Sequence, residues 1–163
     1  MNQVKKNINI IFVCTGNTCR SCMAEGIFRA VANGEGKEPY FKAVSRGIHA
    51  LEGESASEHS INALKTLWGI DISLHKSKMI SIQDVSQGDL LLTMTRAHRD
   101  ILKAQFPDMS FKIFTLKEYA YPNIDKDSYL LDISDPYRLQ YTIYESCAKE
   151  IFECVKVVTK KLA

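Results

Sequence analysis

The fold of this chain is decided by the stretch Ile8-Asn9-Ile10-Ile11-Phe12-Val13-Cys14-Thr15-Gly16-Asn17-Thr18-Cys19-Arg20-Ser21. Its apolar run over 8–13 is typical of a buried strand. A glycine-containing loop follows, and the pattern over 21–33 predicts a helix that ends at Asn33-Gly34. The sequence therefore predicts a strand, a tight loop and a helix, with Cys14 at the carboxyl end of the strand.

This loop has the features of a cradle for a tetrahedral oxyanion. Backbone N–H groups of such a loop, with a helix N-terminus behind them, point at a bound phosphate. The same field lowers a cysteine pKa, so Cys14 is a candidate nucleophile, although free cysteine is also common as an inert buried thiol. Arg20 can clamp two phosphate oxygens, and Ser21 either donates its hydroxyl to the thiolate or simply caps the helix. The residues expected in the phosphate-binding loop are Thr15, Gly16, Asn17, Thr18, Cys19 and Ser21.

The rest of the chain alternates between predicted strands and predicted helices. We expect strands at 40–45, 89–94 and 111–115, and helices at 57–68, 95–106 and 138–161. Ile101 and Leu102 should face inward, and 120–135 should be a loop. This alternation predicts an α/β fold, a single-domain, three-layer, doubly wound sandwich over 1–163 with a four-stranded parallel sheet. Ligands of such folds lie beyond the carboxyl ends of the strands, where Cys14 is expected.

Composition and charge exclude several classes of function. The chain has 163 residues and a formal net charge of +2, which gives no reason to expect nucleic acid or a membrane surface as a partner. Residues 1–9 lack the apolar core of a secretion signal, and no run approaches a membrane span. Five cysteines, an odd number, favour reduced thiols in a cytoplasm.

A second candidate for chemistry is Asp135, which precedes Pro136 and Tyr137. An aspartate here is either a general acid or an ordinary turn residue before proline, and the residues alone do not decide between them. Asp132 competes for the same role. Tyr137 either walls the pocket or packs against the last helix.

Together these residues resemble the low-molecular-weight protein tyrosine phosphatases. The resemblance rests on Cys14-x5-Arg20-Ser21 after the first strand and on the downstream Asp135-Pro136-Tyr137, and it runs over nearly the whole chain. The turn at 44–47 is also similar, with Arg46 as a departure, and Cys22 replaces the usual proline. Thr18 and the stretch over 114–119 are most similar to the bacterial protein arginine phosphatases.

The resemblance implies a cysteine-dependent protein phosphatase that forms a phosphocysteine intermediate. Asp135 would be its general acid, Asn17 and Ser45 would brace the loop, and Thr18 and Tyr137 would contribute to specificity. It implies phosphorylated proteins as substrates, phosphoarginine first and phosphotyrosine as the alternative, without a cofactor or metal. The oligomeric state stays open. A thiolate in such a loop also predicts a reversible Cys14–Cys19 disulfide on oxidation.

Two rival functions follow from the cysteines. The spacing Cys14-x4-Cys19-x2-Cys22 is that of a plant-type iron–sulfur loop, with Cys147 or Cys154 as a fourth ligand, which would make an electron carrier. Arsenate reduction on the same scaffold would need a cysteine relay. Cys147 and Cys154 are seven residues apart on a predicted helix, which is too far for a disulfide. We therefore prefer to interpret them as two core positions on one helical face.

His49, His59 and His98 show no ligand spacing, and His75 resembles a family histidine near the loop.

Overall fold

A four-stranded, all-parallel sheet forms the centre of the molecule. The computed structural model describes residues 7–37 and 40–162. Its strands are β1 (Ile8–Cys14), β2 (Phe41–Gly47), β3 (Leu90–Thr93) and β4 (Ile113–Thr115), in the spatial order β2-β1-β3-β4. This confirms the predicted fold class and sheet. The expectation that residues 1–9 lack a secretion signal falls mostly on residues 1–6, which lie outside the described residues.

Helices cover both faces of this sheet, because β1 alternates its apolar side chains between two cores. Ile10 and Phe12 join a core under α1 (Arg20–Gly34), α2 (Glu58–Trp68) and α6 (Tyr141–Lys161). Ile11 and Val13 join a second core with residues of α3 (Ile82–Gln87) and α4 (Arg96–Gln105). The short helix α5 (Leu116–Ala120) follows β4 and contacts α6. Helices on both faces are what a doubly wound sandwich requires.

Five details differ from the sequence-based expectation. Ile101 is 44% exposed, whereas Leu102 is fully buried, so only one of this pair faces inward. The strand predicted at 111–115 is a 3₁₀ turn over Pro107–Lys112 followed by β4, and Phe111 is exposed. The last helix begins at Tyr141, not at 138. The helices α3 and α5 were not predicted, and the 120–135 loop contains a 3₁₀ turn over Tyr129–Leu131.

The order of the strands fixes where a ligand can bind. The chain leaves β1 toward β2 on one side and later returns to β3 on the other, so the sheet has its topological switch point beside β1. Crevices form at the carboxyl ends of strands at such points. Cys14 ends β1 there, and the Ile133 N–H donates to the Met94 carbonyl just beyond β3, which brings the 120–135 loop to the same edge. Within the described part of the chain, no helix has the length and apolar character needed to cross a membrane.

Candidate active site

The loop from Cys14 to Arg20 closes tightly between β1 and α1. Asn17 adopts a left-handed backbone conformation with a φ of 59°, which asparagine tolerates better than most residues. The end of β2 holds this loop from below, because the Ile48 N–H donates to the Cys14 carbonyl at 2.9 Å. Gly47 permits the approach, since a Cβ there would lie 2.5 Å from the Thr15 carbonyl oxygen. The loop is therefore fixed by backbone contacts before any ligand binds.

The buried side chain of Asn17 organises the interior of the loop. Its amide donates to Ser21 Oγ at 2.8 Å and to Ser45 Oγ at 2.9 Å, and its Oδ1 accepts from the Lys78 N–H at 2.9 Å. Its backbone carbonyl lies 2.6 Å from His75 Nε2, which must carry the proton to donate there. Ser45 and His75 thus hold the loop by hydrogen bonds, and neither lines the cavity above it.

The Cys14 thiol is surrounded by donors. Its Sγ lies 2.8 Å from Ser21 Oγ, and the Asn17 N–H donates to it at 3.3 Å. Because the Asn17 amide already donates to Ser21 Oγ, the Ser21 hydroxyl proton is available for the sulfur. Burial nevertheless raises the pKa of the Cys14 thiol, against the lowering effects of Ser21, Arg20 and Asn17. Desolvation therefore outweighs the expected lowering of the Cys14 pKa.

Arg20 and Asp135 face each other across the mouth of the loop. The Arg20 guanidinium is buried, donates to the Ile133 carbonyl at 2.9 Å, and lies 3.5 Å from Asp135 Oδ2. The Tyr137 N–H donates to Asp135 Oδ1 at 3.1 Å and so orients that carboxylate. Arg20 is thus held by a neutral carbonyl from one side, which leaves its charge available to an anion.

Asp132, the competing acid, points elsewhere. Both of its carboxylate oxygens accept from the Arg96 guanidinium, at 3.0 Å in the closest contact, and the Arg96 N–H also donates to it. These Arg96 contacts lower the pKa of Asp132 despite its partial burial. Asp132 is therefore engaged by an arginine outside the cavity, whereas Asp135 lines it.

One cavity of about 190 Å³ brings together most of the predicted site. Its lining residues are Cys14, Thr15, Gly16, Asn17, Thr18, Cys19, Arg20, Glu54, Asp135 and Tyr137. Ser21 and Ser45 lie beneath the loop instead. A larger groove of about 670 Å³ runs along Glu25, Arg29 and Arg46 but contains neither the thiol nor Asp135. The smaller cavity is the candidate active site, because it contains the Cys14 thiol, the buried Arg20 guanidinium and the Asp135 carboxylate.

His98 belongs to the site, although its sequence context gave no sign of it. Its Nε2 lies 2.8 Å from Thr15 Oγ1, and its Nδ1 lies 3.0 Å from Thr95 Oγ1, the N-cap of α4. Burial lowers the pKa of His98 to about 4, and the charge of Arg20 adds to this effect. The neutral imidazole of His98 therefore links Thr15, the residue after Cys14, to α4.

The sequence analysis also missed Glu54, because it lies in a loop far in sequence from the stretch that begins at Cys14.

The positions of the other cysteines do not support the iron–sulfur alternative. Across residues 7–37 and 40–162, no three side chains of His, Cys, Asp or Glu converge to hold a metal ion. Cys19 Sγ contacts Ser57 Oγ at 3.5 Å and the Tyr144 hydroxyl at 3.8 Å, and Cys22 Sγ donates to the Cys19 carbonyl. Cys147 and Cys154 are both buried positions of α6, as the core interpretation predicted.

Comparison with known proteins decides the family. Residues 9–163 match the family model described as low molecular weight phosphotyrosine protein phosphatase. The chain belongs to this family. It is thus an enzyme of the cysteine-dependent, low-molecular-weight phosphatase class, and members of this class act on phosphorylated proteins.

Individual relatives cover almost the full length of this phosphatase. It is 35% identical to the protein-arginine-phosphatase of Bacillus subtilis over 95% of this chain and 97% of that protein. The crystal structure of a low-molecular-weight protein tyrosine phosphatase from T. tengcongensis is 38% identical, has a TM-score of 0.86, and is matched over 95% of this chain and 99% of that one. A cysteine-to-serine mutant of the YwlE arginine phosphatase, with a phosphorylated active-site serine, is 34% identical with a TM-score of 0.86 and 95% of both chains covered.

Proposed function

We propose that this enzyme removes phosphate from phosphorylated arginine in proteins, with Cys14 as the nucleophile, Arg20 as the anion clamp and Asp135 as the general acid. The observation that carries the chemistry is the shared cavity, in which the Cys14 thiol, the buried Arg20 guanidinium and the Asp135 carboxylate meet. The alternative within the same chemistry is phosphotyrosine.

In the first step the Cys14 thiolate attacks phosphorus in line with the bond to the leaving group. The loop N–H groups and Arg20 stabilise the charge on the three equatorial oxygens. Binding of the phosphate displaces the weak 3.5 Å contact between Arg20 and Asp135 and leaves Asp135 beside the leaving group. For phosphoarginine, the P–N bond breaks and Asp135 delivers a proton to the departing guanidine nitrogen, while a P–S bond forms to Cys14.

In the second step water attacks the phosphocysteine. Asp135, now ionised, takes a proton from that water as the new P–O bond forms and the P–S bond breaks. Inorganic phosphate leaves, and the Cys14 thiolate returns to its hydrogen bond with Ser21. The related mutant with a phosphorylated active-site serine supports phosphoryl transfer to this position of the loop.

The preference for arginine depends on the group beyond the phosphate. Thr18 is half-buried and lines the cavity, and in the described part of the chain its hydroxyl has only a distant 3.9 Å contact with Cys19 Sγ. That hydroxyl is free to bond a polar, planar guanidine, whereas a longer aliphatic side chain would favour a phenyl ring. The sequence identity to the Bacillus subtilis protein-arginine-phosphatase supports phosphoarginine as the substrate. The similarity to the T. tengcongensis tyrosine phosphatase supports phosphotyrosine as the alternative.

Parallel kinetics on two peptides of one sequence, carrying phosphoarginine or phosphotyrosine, test this proposal. We expect a higher kcat/KM for phosphoarginine, and Thr18→Ile should shift the ratio toward phosphotyrosine by roughly tenfold to a hundredfold, because buried donors of the guanidine lose their partner. Thr18→Ser, which keeps the hydroxyl, is the matched control and should retain the ratio. A wild-type preference for phosphotyrosine would return the enzyme to the alternative function.

The same site supports proposals on location and regulation. Five cysteines, one of them the proposed nucleophile, fit the reducing cytoplasm. Peroxide oxidises the Cys14 thiolate to a sulfenic acid and is itself reduced to water. Attack of the Cys19 thiol on that sulfenic acid, with loss of a second water, would form a disulfide inside the loop and protect the nucleophile from irreversible oxidation.

A further inference from the structure

Glu54 is an acidic residue in the cavity that the mechanism leaves without a role. It lines the space above the phosphate loop together with Cys14, Arg20 and Asp135. Its side chain is exposed, and within residues 7–37 and 40–162 it has neither an ion pair nor a hydrogen bond to another side chain. Glu54 therefore presents a free carboxylate to whatever enters the cavity.

Hydrogen bonds to Ser77 fix the backbone at Glu54, so the point from which this side chain extends is held in place. The Glu54 N–H donates to Ser77 Oγ at 2.9 Å, and the Ser77 N–H donates to the Glu54 carbonyl at 2.8 Å. Ser77 itself is buried. Three residues further on, the Ser57 N–H donates to the Thr18 carbonyl at 2.9 Å, which ties this segment to the phosphate loop. The scaffold therefore holds Glu54 over the loop in advance of binding.

A carboxylate at this place is unfavourable for the phosphate alone. The cavity must accept an anion, and a negative charge on Glu54 repels it. Arg20, the buried cation of the site, is already near Asp135 and does not compensate Glu54 by any direct contact. The arrangement becomes favourable when the substrate itself brings a positive charge next to its phosphate.

We propose that Glu54 is a specificity-determining residue that binds the positively charged guanidinium of phosphoarginine. This rests on the proposed function and deepens it. The carboxylate accepts guanidinium N–H groups while the loop holds the phosphate of the same residue. Phosphotyrosine has no cation at this place and gains nothing from Glu54, so the carboxylate favours one substrate and disfavours the other.

The test is the variant Glu54→Gln, which keeps the shape and removes the charge. Glu52→Gln is the matched control, because Glu52 is an exposed carboxylate of the same loop that is not part of the cavity lining. Wild type and both variants are assayed with phosphoarginine and phosphotyrosine peptides of one neutral sequence, and with a phosphotyrosine peptide that carries arginine beside the phosphorylated residue.

We expect Glu54→Gln to lower kcat/KM for phosphoarginine by about fivefold to twentyfold, since a charge-assisted hydrogen bond at a partly exposed site is lost. Its activity on the neutral phosphotyrosine peptide should stay the same or rise, and Glu52→Gln should leave the ratio unchanged. An equal loss on all peptides, or no loss on phosphoarginine, would overturn the inference while the proposed function stands. A loss confined to the arginine-flanked phosphotyrosine peptide would overturn it too, by making the neighbouring arginine the ligand. Wild type without activity on phosphoarginine would instead overturn the proposed function itself.

Discussion

Replacement of Ser21 by alanine should impair the nucleophile, while Asn17 keeps its bonds to Ser45 and to the Lys78 N–H in the loop. The Ser21 hydroxyl lies 2.8 Å from Cys14 Sγ in a buried site, and its proton is directed to the sulfur because the Asn17 amide occupies its acceptor side. A buried hydrogen bond to a charged group contributes about 1.5–3 kcal/mol. The bond stabilises the thiolate and lowers the pKa of Cys14, so Ser21→Ala should raise that pKa further.

The expected decrease in Cys14 reactivity follows from the strength of the same hydrogen bond. At a pH below the pKa of Cys14, each 1.36 kcal/mol or so removes a factor of ten from the thiolate fraction, so alkylation of Cys14 by iodoacetamide should slow by roughly tenfold to a hundredfold. Ser45→Ala is the matched control, because Ser45 also accepts from the Asn17 amide but does not touch the thiol. Alkylation profiles against pH that coincide for Ser21→Ala and wild type, or that shift equally in Ser45→Ala, would refute this reasoning.

Three further predictions concern the acid, the thiols and His98. Asp135→Asn should lower kcat by about 10²–10⁴-fold on poor leaving groups and less on an activated aryl phosphate; a larger loss in Asp132→Asn would move the role to that residue. Mild peroxide should inactivate the enzyme through a Cys14–Cys19 disulfide that peptide mapping detects, and failure of a reductant to restore activity would contradict this. Burial lowers the pKa of His98 to about 4, so the unfolded chain binds more protons below about pH 6.5 and the free energy of unfolding falls from there down to about pH 4. In urea titrations at a series of pH values, His98→Gln should reduce this loss of unfolding free energy by up to about 3 kcal/mol. If the unfolding free energies of variant and wild type fall in parallel with pH, His98 does not cause the loss.

The sequence predicted the parts of the fold that depend on local pattern. The apolar run before Cys14 and the glycine-containing loop after it are strong signals. The first strand and the following helix both lie where the pattern placed them, to within one residue at their ends. The short helices were missed even though each begins with a capping box, Ser81 with Asp84 and Thr115 with Glu118. Those helices are too short to show an apolar stripe, so periodicity alone does not detect them.

Elements of the site that depend on tertiary contacts were not predictable. Spacing could not separate Asp135 from Asp132, because what separates them is Arg96 at the start of α4, which engages Asp132 from another part of the chain. The same holds for His98, whose ring reaches Thr15 across 83 positions of sequence. Glu54 likewise lies at the cavity because its backbone is hydrogen-bonded to Ser77, a contact that no sequence motif predicts.

The central claim is phosphoryl transfer to Cys14, and capture of the intermediate tests it most directly. Wild-type enzyme is mixed with a phosphoarginine peptide, denatured within a single turnover, digested and analysed by mass spectrometry. The account predicts one phosphoryl group on the peptide that contains Cys14, and no turnover in Cys14→Ser. A phosphoryl group on another residue, or a Cys14→Ser variant whose turnover stays within about tenfold of wild type, would contradict it.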